Sequence, residues 1–197
     1  MNHLAHLFLS APFEKLMVGN FIADAVKGRK YLNYNPEISK GIVMHRAIDT
    51  FTDAHDLVRK SKSLLKDSYG LYSSVLVDLF YDFVLASNWN NYSSESLGQF
   101  SAKAYLILEK YTAYIPERSR RMLFNMKKEN WLLNYSHPEG IESSLLGMSR
   151  RIKNNPGIEK AHRDLRKHYD VFEQHFTEFF PLLSRHVSHY RTGRQLK

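Results

Sequence analysis

The sequence of 197 residues contains no cysteine, which excludes disulfide bonds, thiolate metal ligands and a cysteine nucleophile. No uninterrupted apolar run approaches the roughly 18 residues of a membrane-spanning helix, and the first residues lack the basic segment of a signal peptide. Glycine-rich phosphate-binding loops and the GxSxG motif of serine hydrolases are also missing. We therefore expect a soluble, cytoplasmic protein without a nucleotide-binding loop or a nucleophile elbow.

The composition that remains is suited to one helical domain. Hydrophobic residues make up 43% and aromatic residues 13% of the chain, enough for a globular core. Because alternating strand patterns bounded by hairpin turns are not found, residues 1–197 are predicted to form a single all-α bundle of seven to nine helices. Pro181 is expected to kink or end the last helix. The predicted helices include one that begins near Pro36, one over 71–89, one over 95–114 and one over 157–188.

The net charge of +8 is unevenly distributed along the chain. Residues 1–100 contain ten Lys or Arg and ten Asp or Glu, whereas residues 101–197 contain eighteen and ten. All of the excess positive charge therefore lies in the second half, which suggests an acidic macromolecular partner, either nucleic acid or an acidic protein. The alternative is a solvated basic face without a partner.

One imidazole and two carboxylates follow each other at four-residue steps in His45, Asp49 and Asp53. Residues four apart lie nearly above one another on a helix, but each step adds about 40°. His45 and Asp49 are therefore predicted to be metal ligands, while Asp53 is expected to support the site or to cap the next helix. The alternative for His45 is a structural histidine with its hydrogen bonds satisfied in the core.

The most apolar predicted helix carries two further carboxylates, Asp78 and Asp82. Burying a carboxylate without compensation costs several kcal/mol, so a neighbouring positive charge is expected. A metal ion would supply it, and the alternative is an ion pair with Arg46 or Arg59. We count both carboxylates as candidate metal ligands.

Two more candidates lie near the N-terminus. Asp24 follows an apolar segment, so a role in the site is favoured over that of an exposed carboxylate without a function. His6 lies among leucines, where it is either a metal ligand or a buried structural histidine. Oxygen and nitrogen ligands without sulfur suit Mn²⁺, Mg²⁺, Fe²⁺ or Zn²⁺ in a hydrolytic site between facing helices. The predicted metal ligands are Asp24, His45, Asp49, Asp78 and Asp82.

Six segments of the chain carry a resemblance to a known family. They are Asn2–Leu9, Gly19–Asp24, His45–Asp49 with Thr52 and Asp53, Asp78–Asp82 with Trp89, Trp131 and Leu132 with Tyr135, and Gly147–Arg150. In order and spacing they resemble the acyl carrier protein phosphodiesterase family over about residues 1–155, and the final helix agrees by pattern. The resemblance implies a helical bundle similar to the HD-type metal phosphohydrolases. It also implies that the protein depends on a divalent metal ion, with Mn²⁺ as the first candidate. The implied reaction removes the phosphopantetheine arm from holo-acyl carrier protein and leaves the apo protein.

This resemblance suggests roles for individual residues. Arg46 would stabilise charge on the phosphate, with pairing to a buried carboxylate as the alternative, and His6 is the candidate general acid. Two positions depart from the family pattern: His3 therefore inherits no role, and Phe83 stands where a histidine is often found. The candidate catalytic residues are His6, Asp24, His45, Arg46 and Asp49.

Acyl carrier proteins are strongly acidic, so the basic second half is predicted to be their docking surface, with no nucleic acid or membrane partner. Two other functions stay open. One is a metal phosphohydrolase that acts on a nucleotide or small phosphodiester, and the other is a basic helical protein that binds nucleic acid without catalysis. The candidate docking residues are Arg118, Arg120, Arg121, Arg150, Arg151 and Lys153.

Overall fold

The computed structural model describes residues 1–192 of the chain. Within this range every regular element is helical and no strand occurs, which confirms the all-α prediction. The number of helices is higher than predicted because the second half contains two very short ones, of four and six residues. The α-helices are α1 (His3–Ser10), α2 (Glu14–Ile22), α3 (Pro36–Ala54), α4 (Asp56–Tyr69), α5 (Ser73–Ser87), α6 (Leu97–Lys110), α7 (Glu117–Lys128), α8 (Trp131–Asn134), α9 (Pro138–Ser149), α10 (His162–Lys167) and α11 (Tyr169–Thr192).

Local sequence signals explain where several of these helices begin. Pro36 is the first residue of α3, and the side chain of Asn35 caps that helix by accepting a hydrogen bond from the Glu37 amide at 3.0 Å. Ser96 and Gln99 form a reciprocal capping box at the start of α6. The predicted helices that start near Pro36 and residue 95 are therefore confirmed to within two residues.

An aromatic part of the hydrophobic core lies where α5 and α11 pack together. Phe80 and Phe172 are fully buried, with ring centroids 5.3 Å apart in an edge-to-face arrangement. Val75 is 38% exposed, because it lies on the solvent side of the first turns of α5. Pro181 lies inside α11, which continues to Thr192. Of the two outcomes expected at Pro181, a kink or the end of the helix, the end is contradicted, since the turns beyond Pro181 are stabilised by burial of apolar side chains such as Val187.

Helices α2 and α3 touch backbone to backbone at Gly19 and Gly41. A Cβ atom on Gly19 would lie 2.0 Å from the carbonyl oxygen of Ile38, and one on Gly41 would lie 2.2 Å from the carbonyl oxygen of Leu16. Only glycine permits this approach. The contact matters for the site described below. It brings Asn20, one residue after Gly19 on α2, next to His45, four residues after Gly41 on α3.

Replacement of Gly41 by Ala is expected to destabilise the fold by about 1–3 kcal/mol or more, since backbone atoms must move to admit the methyl group. Gly98→Ala is the matched control: it also lies in a helix, and a Cβ there meets no atom within 4 Å. This control should be neutral or slightly stabilising, because Ala has the higher helix propensity. Urea unfolding of both variants measures the difference, and equal midpoints would contradict the close contact.

One stretch, Asp56–Ser87, is long and apolar enough by composition alone to cross a membrane. Ser, Gly and Asp interrupt its apolar residues, which is why no such run is apparent in the sequence. It comprises the separate helices α4 and α5, and 56% of its most apolar window is buried against the rest of the chain. Core helices of soluble proteins have the same properties, so this stretch is only weak support for a membrane span.

Candidate metal centre

Two histidines and an aspartate from α1 and α3 converge on one point. Nε2 of His6 lies 3.2 Å from Asp49 Oδ1, and Nε2 of His45 lies 3.1 Å from Asp49 Oδ2. The two imidazole rings stack with centroids 4.1 Å apart and planes inclined by 19°. Potential ligand atoms of the three residues all lie within 4.8 Å of one another. Both histidines are buried, whereas the Asp49 side chain is 42% exposed, so the group is open to solvent on the Asp49 side.

The amide of Asn20, fully buried on α2, holds both imidazole rings. Its Oδ1 accepts hydrogen bonds from Nδ1 of His6 at 2.8 Å and from Nδ1 of His45 at 2.9 Å. Its Nδ2 donates to the His6 carbonyl oxygen at 3.0 Å and to Ser10 Oγ at 2.8 Å. The bond to the carbonyl, which can only accept, assigns the orientation of the amide. Both rings therefore carry hydrogen on Nδ1 and direct Nε2 toward Asp49.

Each Nε2 faces oxygen atoms that are themselves acceptors. Besides Asp49 Oδ1, Nε2 of His6 lies 3.1 Å from the carbonyl oxygen of Met1. Lone pairs at such distances repel one another unless a proton or a metal ion lies between them. Two imidazole nitrogens and a carboxylate, with the remote ring nitrogens held by hydrogen bonds, are the donor set of many divalent metal sites. This group of residues could therefore hold a metal ion.

The two histidines differ in their affinity for a proton. Burial, together with the nearby His45, lowers the pKa of His6 to about 4, so this ring is neutral. Burial also acts against the charged form of His45, but hydrogen bonds to Asp24 and Asp49 outweigh it and raise the pKa of His45 to about 9. Burial acts to raise the pKa of Asp49, but the hydrogen bond from the protonated His45 outweighs it and lowers that pKa. Without a metal, the site is held together by a His45 imidazolium and the Asp49 carboxylate.

Asp24 lies at the rim of this group. It follows α2 in a 3₁₀ turn over Ala23–Ala25, and its Oδ1 lies 3.5 Å from Nε2 of His45. Its side chain is 83% exposed, more than its apolar flanks suggest, because α2 ends at Ile22 and the turn directs Asp24 to solvent. The hydrogen bond with His45 lowers the pKa of Asp24.

Asp78 on α5 lies one contact away from the cluster. Its Oδ1 accepts a hydrogen bond from the Met1 amino group at 2.9 Å, and the same amino group lies 3.9 Å from Asp49 Oδ1. Asp78 is thus linked to the cluster through the Met1 amino group, and its side chain is 29% exposed.

Asp82 is not brought into the cluster. It is fully buried, and its two oxygens accept hydrogen bonds from the amides of Leu4 at 2.7 Å and Ala5 at 3.2 Å. These amides belong to the first turn of α1, which has no side-chain cap of its own. Burial raises the pKa of Asp82 to about 7. Asp82 therefore fixes the start of α1, the helix that carries His6, and its charge is met by amide donors rather than by an arginine.

Arg46 is engaged with the backbone outside the cluster. Its guanidinium donates to the carbonyl oxygens of Val26 at 2.8 Å and Gly28 at 2.9 Å, and it lies over the ring of Tyr31 at 5.2 Å from the centroid. Arg46 thereby ties the segment after Asp24 to α3. The proposed alternative for this residue, pairing with a buried carboxylate, is not observed among residues 1–192.

The remaining predicted partners also take structural roles. Arg59 pairs with Asp56 on its own helix. Asp53 belongs to α3 and pairs with Lys62 at 2.7 Å. The N-cap of α4 is His55, not Asp53 as one prediction had it, because the His55 side chain accepts from the Leu57 amide.

Basic residues lie exposed on two parts of the surface. The predicted docking residues are all exposed, on α7 and around the end of α9. A second basic segment, not predicted, lies next to Asp24 in and before the 3₁₀ segment Gly28–Asn33 that Arg46 anchors. Its exposed residues are Lys27, Arg29 and Lys30.

Asn20 is the site residue that sequence reasoning missed. The signal was present, since a polar amide stands in the apolar helix EKLMVGNFI, and a buried amide requires hydrogen-bond partners. The sequence did not indicate that these partners are the two histidines.

Comparison with known proteins agrees with the segments noted above. The profile of the family described as "Acyl carrier protein phosphodiesterase" matches residues 1–183. A protein of that name from Photorhabdus laumondii is 32% identical over 93% of both chains. Those from Yersinia pestis and Escherichia coli are 30% identical over 96% and 95% of this chain and 98% of their own. No solved structure matches, so the HD-type arrangement stays a prediction. The chain belongs to the acyl carrier protein phosphodiesterase family.

Proposed function

We propose that this protein is a metal-dependent phosphodiesterase that releases 4′-phosphopantetheine from holo-acyl carrier protein and leaves the apo protein. The observation that carries the metal dependence is the direction of the two Nε2 atoms, which Asn20 turns toward a carboxylate that can only accept. Family membership supports the substrate. Hydrolysis breaks the bond between phosphorus and the serine oxygen of the carrier, with water supplying hydroxide to phosphorus and a proton to the serine.

The metal ligands in this proposal are Nε2 of His6, Nε2 of His45 and the carboxylate of Asp49. Asp24 and Asp78, which flank these residues, complete the coordination of one or two ions. Mn²⁺ is the leading candidate, and Mg²⁺, Fe²⁺ and Zn²⁺ accept the same donor types. When bound, such an ion lowers the pKa of water and screens phosphodiester charge.

The surrounding residues orient this site and handle protons. His6 has no nitrogen left to act as a general acid, because Nδ1 bonds to Asn20 and Nε2 faces Asp49; we therefore assign it to metal binding. Asp24 is exposed at the rim of the cluster, where the carboxylate oxygen that is not bound to the ion can accept a proton from water. Asp82 is left out of the ligand set, since both of its oxygens hold the first turn of α1.

The reaction is tested by incubating the purified protein with Mn²⁺ and holo-acyl carrier protein and weighing the carrier by mass spectrometry. The proposal expects the carrier to lose the mass of the phosphopantetheine group and a chelator to prevent the loss. A metal-loaded protein that leaves the carrier unchanged but hydrolyses nucleotides or small phosphodiesters would contradict it.

Affinity for Mn²⁺ should rise with pH, because metal binding displaces the proton that His45 holds up to a pKa of about 9. Between about pH 6 and about pH 8 the apparent affinity is expected to increase by up to about tenfold per pH unit, with release of about one proton per ion. Calorimetric titration in two buffers of different ionisation enthalpy measures this proton. An affinity independent of pH would show that His45 is not a ligand.

Electrostatic attraction is expected to bring the acidic carrier protein to the exposed basic residues of α7, of the end of α9 and of the segment beside Asp24. KM for the carrier should therefore rise with ionic strength, since screening weakens attraction between exposed charges. Hydrolysis of bis(p-nitrophenyl) phosphate, which needs no docking surface, should depend much less on salt. Equal salt dependence for the two substrates would contradict docking by charge.

A further inference from the structure

A cavity lies beside the metal centre, between the start of α1, the middle of α5 and the helices α8 and α9. Its volume is about 520 Å³, within the range of small-molecule sites. None of the residues His6, His45 and Asp49 lines it. Residues from all four elements form its wall, among them Asn2, His3, Leu79, Trp131, Met148 and Arg151.

The cavity shares a wall with the metal centre. On α1, His3 lines the cavity three residues before His6, and Asn2 lines it directly after Met1, whose carbonyl oxygen lies 3.1 Å from Nε2 of His6. On α5, Leu79 lines the cavity directly after Asp78, which approaches the cluster. Neighbouring residues of α1 and α5 therefore belong to the cavity and to the cluster, which places the two sites side by side.

The chemistry of the wall indicates the kind of molecule that fits. Leu79, Trp131 and Met148 provide apolar surface, while hydroxyl and amide side chains of Ser143 and Asn134 provide hydrogen bonds. Such a wall suits a flexible chain in which amide groups alternate with methylene groups. It does not suit a polyphosphate.

The charges on the wall support the same choice. The charged side chains that line the cavity are those of one arginine, Arg151, and two glutamates, Glu129 and Glu139, besides the titratable rings of His3 and His137. The pKa of His3 is lowered to about 4 by burial, so this ring adds no positive charge. An uncharged chain attached to a single phosphate satisfies these conditions.

We propose that this cavity binds the pantetheine arm of the substrate, with the phosphate directed toward His6, His45 and Asp49. This inference rests on the proposed function and adds to it the place of the arm. The carrier protein then remains outside, and recognition of the arm is separate from docking of the carrier surface.

Gly147→Phe tests the assignment because Gly147 lines the cavity and a Cβ atom there meets nothing within 4 Å. The aromatic ring can occupy the cavity without displacing backbone. Gly98→Phe is the matched control, since Gly98 is also helical and equally open but lies outside this cavity. Ser143→Phe, one turn before Gly147 on α9, is a second variant that fills the same space.

The first measurement is the dissociation constant of free 4′-phosphopantetheine for the Mn²⁺-loaded proteins by calorimetry. Both cavity-filling variants are expected to weaken binding by about tenfold or more, which corresponds to about 1.4 kcal/mol, and to raise KM for holo-acyl carrier protein. Gly98→Phe should keep the affinity of the unmodified protein.

Two results would overturn parts of the account separately. If the unmodified protein does not release phosphopantetheine from the carrier, the proposed function is wrong. If the unmodified protein does so but both cavity-filling variants bind 4′-phosphopantetheine as tightly as Gly98→Phe, the assignment of the cavity alone is wrong.

Discussion

Asp49→Asn is expected to reduce kcat/KM on holo-acyl carrier protein by about 10³-fold or more. The substitution removes the carboxylate on which both Nε2 atoms converge, and with it much of the affinity for metal. A catalytic metal contributes several kcal/mol of transition-state stabilisation, and each 1.36 kcal/mol corresponds to about tenfold in rate. Metal content measured by mass spectrometry should fall together with activity.

Asp53→Asn is the control for this experiment. Asp53 is the next carboxylate one turn along α3, is exposed, and pairs with Lys62 rather than with a histidine. An exposed ion pair contributes little to stability, so this variant should keep both metal and turnover. If both variants lose metal and activity equally, metal binding depends on the total negative charge of α3 and not on the position of Asp49.

Asn20→Ala is expected to reduce both metal affinity and stability. Two buried Nδ1–H groups, on His6 and His45, lose their common acceptor, and each unsatisfied buried group costs about 1–3 kcal/mol. Loss of a residue that orients metal ligands typically weakens metal binding by about 10–100-fold. Calorimetry with Mn²⁺ and urea unfolding measure the two effects.

Asn20→Asp separates orientation of the ligands from general loss of packing. A carboxylate keeps the acceptor for both rings but loses the donor to the His6 carbonyl and Ser10. It should therefore be destabilised yet bind metal more tightly than Asn20→Ala. Ser101→Ala controls for removal of a buried polar group, because its hydroxyl is buried and has no hydrogen-bond partner within residues 1–192. Metal binding by Asn20→Ala at the level of Ser101→Ala would refute the orienting role.

The fold was largely predictable because its signals are local. Absence of strand patterns indicated an all-α chain, and Pro36 marked the start of the helix that carries His45 and Asp49. The bounds of the second half were less predictable, since the four-residue helix α8 contains less than two turns of periodic sequence. Pro181 does not end α11, because burial of later side chains compensates for the hydrogen bond that proline cannot donate.

The site was predictable only where its residues share a helix. Helical spacing placed His45 next to Asp49, whereas the contact of both with His6 and Asn20 depends on how α1, α2 and α3 pack. Asp82 shows the limit of the argument from buried charge. The sequence indicated that this carboxylate needs compensation, but it could not reveal that backbone amides of α1, remote in sequence, provide it.

The central claim is that His6, His45 and Asp49 bind a divalent metal. A crystal structure of the protein grown with Mn²⁺, with anomalous diffraction recorded near the manganese edge, tests it most directly. We predict an anomalous peak about 2.0–2.3 Å from Nε2 of both histidines and from an oxygen of Asp49. No peak at this position in an enzyme that hydrolyses holo-acyl carrier protein, or a peak bound only by other residues, would contradict the claim.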